Sequence, residues 1–297
     1  MRLMRAATLT VSDLSRSQSY YCDWLNYSNV ESGTISSELS AGWGTPNTAG
    51  QAYAVLQPES GADVFIRLIE QPSVKGYKAL RSYGWNAIEI CTQDTLKVNS
   101  RMERSPFKII GSPKKIPGLD AIYPMQVKGP DEEIVFLTQI NDDMPTQNLP
   151  RAASLIDKLF ILVMGCSDID LSKDWLEKYL LVEADKDMEI NYTMINKAFG
   201  FKDGTQHRLC TLMHEKDVFL EIDQYPEETI FRKTHDGMLP PCAAIGSFVH
   251  PEFDKLVQIN KDHWITPPRK LDGTIYNGKR TGTLRTPDGT LIEMIES

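Results

Sequence analysis

Two glutamates sit in strands that are otherwise apolar: Glu221 in VFLEI and Glu293 in TLIEM. A carboxylate in such a place is either held in an interior polar network or used for chemistry. Two of them facing each other in a semi-enclosed space do not both ionise easily. One then becomes an acid or base near neutrality. Lys158 is placed to pair with either and would suppress that shift. Arg67 stands in a comparable strand, VFIRL, and Glu89 in GWNAIEI, where alternation puts residues 85, 87 and 89 on one face. Arg67, Glu89, Trp85 and Trp43, the last from the Gly-rich stretch AGWGTPNTAG, outline a second pocket. Arginine offers a fork for a carboxylate, phenolate or enolate, and tryptophan a flat wall. The bland alternative is an Arg67–Glu89 salt bridge with both tryptophans in the core. Phe136, Tyr123 and His207 complete the candidate substrate-contacting set.

The elements that carry these residues repeat. Arg67, Phe136, Glu221 and Glu293 occupy the same slot in four β-rich runs, each after a turn signal. Arg67 to Glu221 spans 154 residues and Phe136 to Glu293 spans 157. The openings of the two halves, VSDLSRSQSYYCDWL and CSDIDLSKDWLEKYL, are 155 residues apart. Each reads as a strand, an Asp/Ser-rich helix start and an amphipathic helix. Every quarter therefore reads strand, helix, three strands. The expected class is α+β: four βαβββ modules forming two incomplete mixed β-barrels with flanking helices. The first barrel is expected over 1–140, a polar linker over 141–154, and the second barrel over 155–297.

This arrangement resembles the vicinal oxygen chelate superfamily, which includes glyoxalase I, extradiol dioxygenases and fosfomycin- and bleomycin-resistance proteins. The residues that carry the resemblance are VSDLSRSQSYYCDWL (11–25) and TPDGTLIEM (286–294). It implies a cupped site inside each pair of modules, with a metal held by residues of first and last strands. The last-strand ligand corresponds to Glu293, and Glu221 falls in the equivalent slot one module earlier. The first-strand slots fall near Ala6, Trp85, Lys158 (or Ile161) and Ala244, and none is a histidine.

All five histidines lie in the second half, so the first barrel has no histidine for a metal, and Arg67 would repel one. A 2-His-1-carboxylate iron triad is not visible. No cofactor is expected; a divalent metal in the second barrel would use Glu221, Glu293 and His207. The resemblance with its histidines missing favours a metal-independent acid/base isomerase or lyase on an aromatic or carbonyl-bearing compound. Glu293 or Glu89 would be the base, and Arg67 or Lys158 the oxyanion partner. A non-catalytic small-molecule binder and a divergent metal-dependent dioxygenase are the alternatives.

Composition bounds the partners. The 297 residues carry a formal charge of −8, which argues against nucleic acid or an anionic membrane as the main partner. No apolar run spans a bilayer. Five scattered cysteines without a CxxC pair read as free thiols in the cytoplasm. A monomer or homodimer acting on a small molecule is expected.

Overall fold

The computed structural model describes residues 2–297. The first module runs β1 (Met4–Val11), α1 (Leu14–Leu25), β2 (Tyr27–Thr34), α2 (Ser37–Gly42), β3 (Ala52–Pro58) and β4 (Phe65–Glu70). The second runs β5 (Gly84–Thr92), α3 (Thr95–Met102), β6 (Lys108–Gly111), β7 (Ile122–Lys128) and β8 (Ile134–Ile140). The third runs β9 (Ile156–Cys166), α4 (Ile169–Leu180), β10 (Glu183–Ala184), β11 (Met188–Asn191), α5 (Thr193–Phe199), β12 (Gln206–His214) and β13 (Asp217–Gln224). The fourth runs β14 (Cys242–His250), α6 (Phe253–Ile259), β15 (Arg269–Lys270), β16 (Arg280–Arg285) and β17 (Leu291–Glu296).

The repeated Ser-Asp motif starts helices. The Asp13 carboxylate accepts the Arg16 N–H at 2.9 Å, and Asp168 accepts the Leu171 N–H at 2.9 Å. Each thereby satisfies a donor that a helix N-terminus leaves free. Two helices lie outside the simple module. MEINYTM is a strand only over Met188–Asn191 and then turns into α5. The Gly-rich stretch begins in α2. In the fourth module WITPP contributes no strand, because adjacent prolines cannot donate to a ladder; only the two-residue β15 follows.

The modules pair differently from the expected barrels. One sheet has the order β15-β16-β17-β14-β1-β4-β3-β2, joining the first and fourth modules. The other has β10-β12-β13-β9-β5-β8-β7-β6, joining the second and third, with β11 added on β12. Both are open. The division into 1–140 and 155–297 is thus corrected: each half gives one module to each sheet. The repeat could not show this, because a duplicated pair maps onto itself equally well under either pairing. The linker after β8 runs over residues 141–155. It lets β9 dock antiparallel on the free edge of β5, with Ile88 opposite Leu162. The matching seam sets Ala7 of β1 opposite Gly246 of β14.

The convex faces of the two sheets share one large core, with Leu9, Leu68, Ile88, Ile90, Leu162, Phe219 and Phe248. The approach is close: a Cβ on Gly246 would lie 2.7 Å from Leu162 Cδ1 and 2.8 Å from Trp85 Cζ2. Polar ties cross the same interface. Trp85 Nε1 donates to the Leu291 carbonyl at 2.8 Å, and Tyr27 Oη donates to that of Asp157 at 2.8 Å. The turn aspartates also bridge the sheets. Asp131 accepts the Ser12 N–H at 2.9 Å, and Asp288 accepts that of Ser167 at 2.8 Å.

A fragment of residues 1–140 should therefore show no cooperative thermal transition, since β1 and β5 each lose a central partner strand. Circular dichroism melting of the isolated fragment checks this, and a sharp transition would contradict the interleaved pairing.

Candidate functional site

Along each sheet, one inward residue of a first strand lies beside one of a last strand. Thr8 pairs with Arg67, Glu89 with Phe136, Val163 with Glu221, and Ser247 with Glu293. The first-strand positions are thus Thr8, Glu89, Val163 and Ser247, not Ala6, Trp85, Lys158 (or Ile161) and Ala244. Because modules pair 4 with 1 and 2 with 3, Glu293 shares a cup with Arg67, and Glu221 shares one with Glu89. Glu221 and Glu293 lie in different sheets and do not face each other.

The cup of the first and fourth modules is sealed. Glu293 is fully buried. Its Oε1 accepts hydrogen bonds from Trp43 Nε1 and Tyr276 Oη, both at 2.9 Å. Its Oε2 accepts from Ser247 Oγ at 2.7 Å and lies 3.8 Å from Arg67 Nη2. Arg67 donates to Thr8 Oγ1 at 2.8 and 3.0 Å and to Tyr276 Oη at 2.7 Å, and its guanidinium stacks over Trp43 at 4.6 Å. The space left beside Trp43 and Glu293 is ≈ 10 Å³, about what one water needs. Glu293 as base, Arg67 as oxyanion partner and Trp43 as ligand wall are corrected accordingly. The three form an internal ion-pair cluster with every group partnered. The Arg67–Glu89 salt bridge does not form, since Glu89 belongs to the other sheet.

The cup of the second and third modules has no such compensation. A register shift between Trp85 and Ala87 turns Trp85 into the shared core, so residues 85, 87 and 89 do not line one face. Ala87 and Cys91 then point into the concave cluster with Ile134, Phe136, Ile161, Val163, Tyr192, Met194 and Leu209. Glu89 stands among them and accepts a hydrogen bond from Thr138 Oγ1 at 2.5 Å. Burial raises its pKa to about 8, reinforced by the negative charge of Glu221 and opposed by the Thr138 bond. Glu221 lies across β9 from Ala87, so Glu89 is its diagonal neighbour on the same face, roughly 12 Å away between backbones. It is only partly buried and accepts from Tyr192 Oη at 3.4 Å. Two residues on, Asp223 points the same way. It is fully buried, and neither carboxylate oxygen has a donor. Burial and the neighbouring Glu221 push its pKa well above the carboxylate range. Desolvation also raises Glu221, to about 7, while the neighbouring Asp223 and the Tyr192 hydroxyl pull it back. Burial thus holds both carboxyls of the pair above the ordinary carboxylate range.

The other expected residues fall outside this cluster or at its margin. Phe136 lines the cup beside Glu89. Lys158 does not pair with a cup carboxylate; its ammonium contacts Asp157 at 3.0 Å and the Arg151 carbonyl at 3.1 Å. Tyr123 lies opposite Gln139, on the helix-covered face. His207 Nε2 is bound to Asn196 Oδ1 at 2.7 Å, and burial lowers its pKa. It sits four residues along β12 from Thr211, which pairs with Glu221, so it does not join that carboxylate. All five cysteines are free. Asp223 and Tyr192 were missed in the sequence. Alternation from Glu221 in VFLEID would have found Asp223; the turn into α5 that brings Tyr192 inward carries no such signal.

Neither cup fits a resident divalent metal. In the sealed cup a guanidinium fills one ligand position and Glu293 has no free lone pair aimed at a vacancy. In the other, carbon side chains, Phe136 and Val163, hold two of the four positions. Among the described residues no group of three or more His, Cys, Asp or Glu is arranged to hold a metal.

By sequence, no protein-family model and no curated protein matches the chain. Solved structures do. Glyoxalase I from Zea mays aligns with a TM-score of 0.64 at 15% identity, over 99% of this chain and 92% of that one. A Bacillus subtilis protein proposed to be a dioxygenase aligns at 0.61 and 11% identity, over 99% and 84%. The cppA protein of Streptococcus pneumoniae aligns at 0.51 and 10%, over 100% and 98%. The chain has the four-module fold of the vicinal oxygen chelate proteins. No helix among the described residues is long and apolar enough to cross a membrane.

Two outcomes follow from the contrast between the cups. Glu293→Gln should cost about 3–5 kcal/mol in chemical denaturation, because it leaves a buried guanidinium without its counter-charge; a loss below about 1 kcal/mol would mean Thr8 and Tyr276 suffice. The second concerns Glu89, whose folded pKa is raised. The folded state holds a proton that the unfolded chain releases above its ordinary carboxylate pKa of 4.5. The stability from that proton is present at low pH and is lost as pH rises toward about 8. Glu89→Gln should gain stability relative to the parent between pH 5 and pH 8, measured by urea unfolding at both. An unchanged difference would place Glu89 in water.

Proposed function

We propose that this chain is an enzyme that moves a proton on a small carbonyl-bearing or aromatic compound in the cup of the second and third modules. The supporting observation is the set of buried carboxyls there, Glu89 and the Glu221–Asp223 pair, with no cation among them. In this reading Glu221 is the base. It is the most accessible of the three, and the hydrogen bond from Tyr192 Oη favours its charged form. It takes a proton from the carbon beside a carbonyl. Glu89, largely protonated at neutral pH, gives its proton to the developing enolate oxygen, and the Tyr192 hydroxyl stands by as a further donor. Return of a proton to the neighbouring carbon gives isomerisation; loss of a β-substituent gives a lyase reaction. Phe136 and Ile161 would wall the substrate and keep water out. The work expected of Glu293 and Arg67 thus passes to Glu221 and Glu89.

A binding protein that holds its ligand unchanged is the second reading. It draws on the linker, whose Leu149 packs into the same concave cluster, and on α5, both of which lie over the cup. The two readings separate in heavy water. Small aldehydes, ketones and phenols incubated with the protein in D2O should gain deuterium at carbon, read by mass spectrometry. Glu221→Gln should slow exchange by about 10²–10⁴-fold. A compound that binds but returns without deuterium would favour the binder.

A further inference from the structure

Beside that cup opens a cleft of ≈ 1140 Å³ between the 74–82 segment, the β6–β7 edge, α5 and residues 230–233. Its chemistry is unlike the rest of the chain. Of 21 lining residues, eight are Lys or Arg and one, Glu132, is acidic, although the whole protein carries a charge of −8. Concentrating like charge in one concavity is unfavourable without a counter-ion, and the low-dielectric walls focus its field outward.

The cations divide into two kinds. The arginines are spent on the protein. Arg81 donates to the Ala198 carbonyl at 2.6 Å and stacks over Phe199 at 4.3 Å. Arg232 donates to Ser82 Oγ at 2.9 Å, to the Ala243 carbonyl at 2.8 Å and to Asn86 Oδ1 at 3.2 Å. Lys128 is paired with Glu132 at 2.5 Å. The remaining five, Lys75, Lys78, Lys108, Lys197 and Lys233, make no ion pair among the described residues. Free lysines are mobile point charges, suited to a compact multiply charged anion; the arginine forks that would select a planar carboxylate are already occupied. The floor is apolar. Leu80, Ile134 and Met194 are buried there, and Ile230 at the rim is 54% exposed.

We propose that this cleft binds a small phosphate-bearing organic molecule, its phosphate among the five free lysines and its apolar body on Leu80, Ile134, Met194 and Ile230. Binding here is a property separate from proton transfer. It is measured without turnover, so its failure leaves the acid/base reading untouched.

Calorimetry with 1-naphthyl phosphate, inorganic phosphate and citrate tests it. Naphthyl phosphate should bind saturably, more tightly than inorganic phosphate, which lacks the apolar body, and more tightly than citrate. Raising the salt should weaken binding, since exposed charges are screened. The double charge reversal Lys108→Glu with Lys197→Glu should weaken it by about tenfold or more while leaving the melting temperature unchanged, because both side chains are exposed. Three results would overturn the proposal: no saturable binding at low salt, affinity unmoved by the charge reversal, or citrate binding as well as the phosphate ester. A single-stranded RNA that binds tightly where the naphthyl ester does not would also overturn it, and would make the cleft a polymer-binding surface.

Discussion

Everything polar in this molecule depends on two antiparallel seams, β1 against β14 and β5 against β9. They decide which inward side chains meet. With them in place Arg67 finds Glu293, and Glu89 finds Glu221. Under the other pairing Arg67 would have met Glu89, and the two lone glutamates would have met each other. The same sequence would then have held one ion pair and one acidic pair in quite different surroundings.

The seams produce two cups with opposite electrostatics. In one, a buried carboxylate has three hydrogen-bond donors and a guanidinium. Desolvation is offset locally and little space remains. In the other, three carboxyls share apolar walls without a cation. Desolvation is offset by keeping protons, which is what suits a group to acid/base work near neutrality. A repeat fold carries two such cups, so one can be given to stability while the other keeps unpaired carboxyls.

The module pattern was legible in the sequence, because turn signals, Asp-capped helices and strand alternation are local. Asp13 and Asp168 could be read as helix starts and are. Glu89, Glu221 and Phe136 could be read as facing inward, and do. What could not be read was which module neighbours which, since a cyclic repeat is consistent with either pairing. That one ambiguity moved Glu293 and Arg67 from candidate chemistry into a closed cluster. The register shift at Trp85 was invisible for a different reason: a bulge inverts the face of every residue before it, and no residue type announces it. The lysine cleft was hidden by averaging. Its cations come from five separated stretches of an acidic chain and gather only in three dimensions.

The interleaving also says something about how the chain is threaded. Glu296 lies opposite His250, and Met4 lies opposite Phe248, so the outer ends of β17 and β1 sit near the same end of β14. They are two strand spacings apart, roughly 10 Å. A few residues would span that gap. A circular permutant joined there and opened between β4 and β5 would read modules two, three, four, one. Each sheet would then be a continuous stretch of chain. The β1–β14 seam, now closed between the most distant parts of the sequence, would become a local contact. Since loop closure limits folding more than it limits stability, such a permutant would keep the architecture while reaching it by a shorter search.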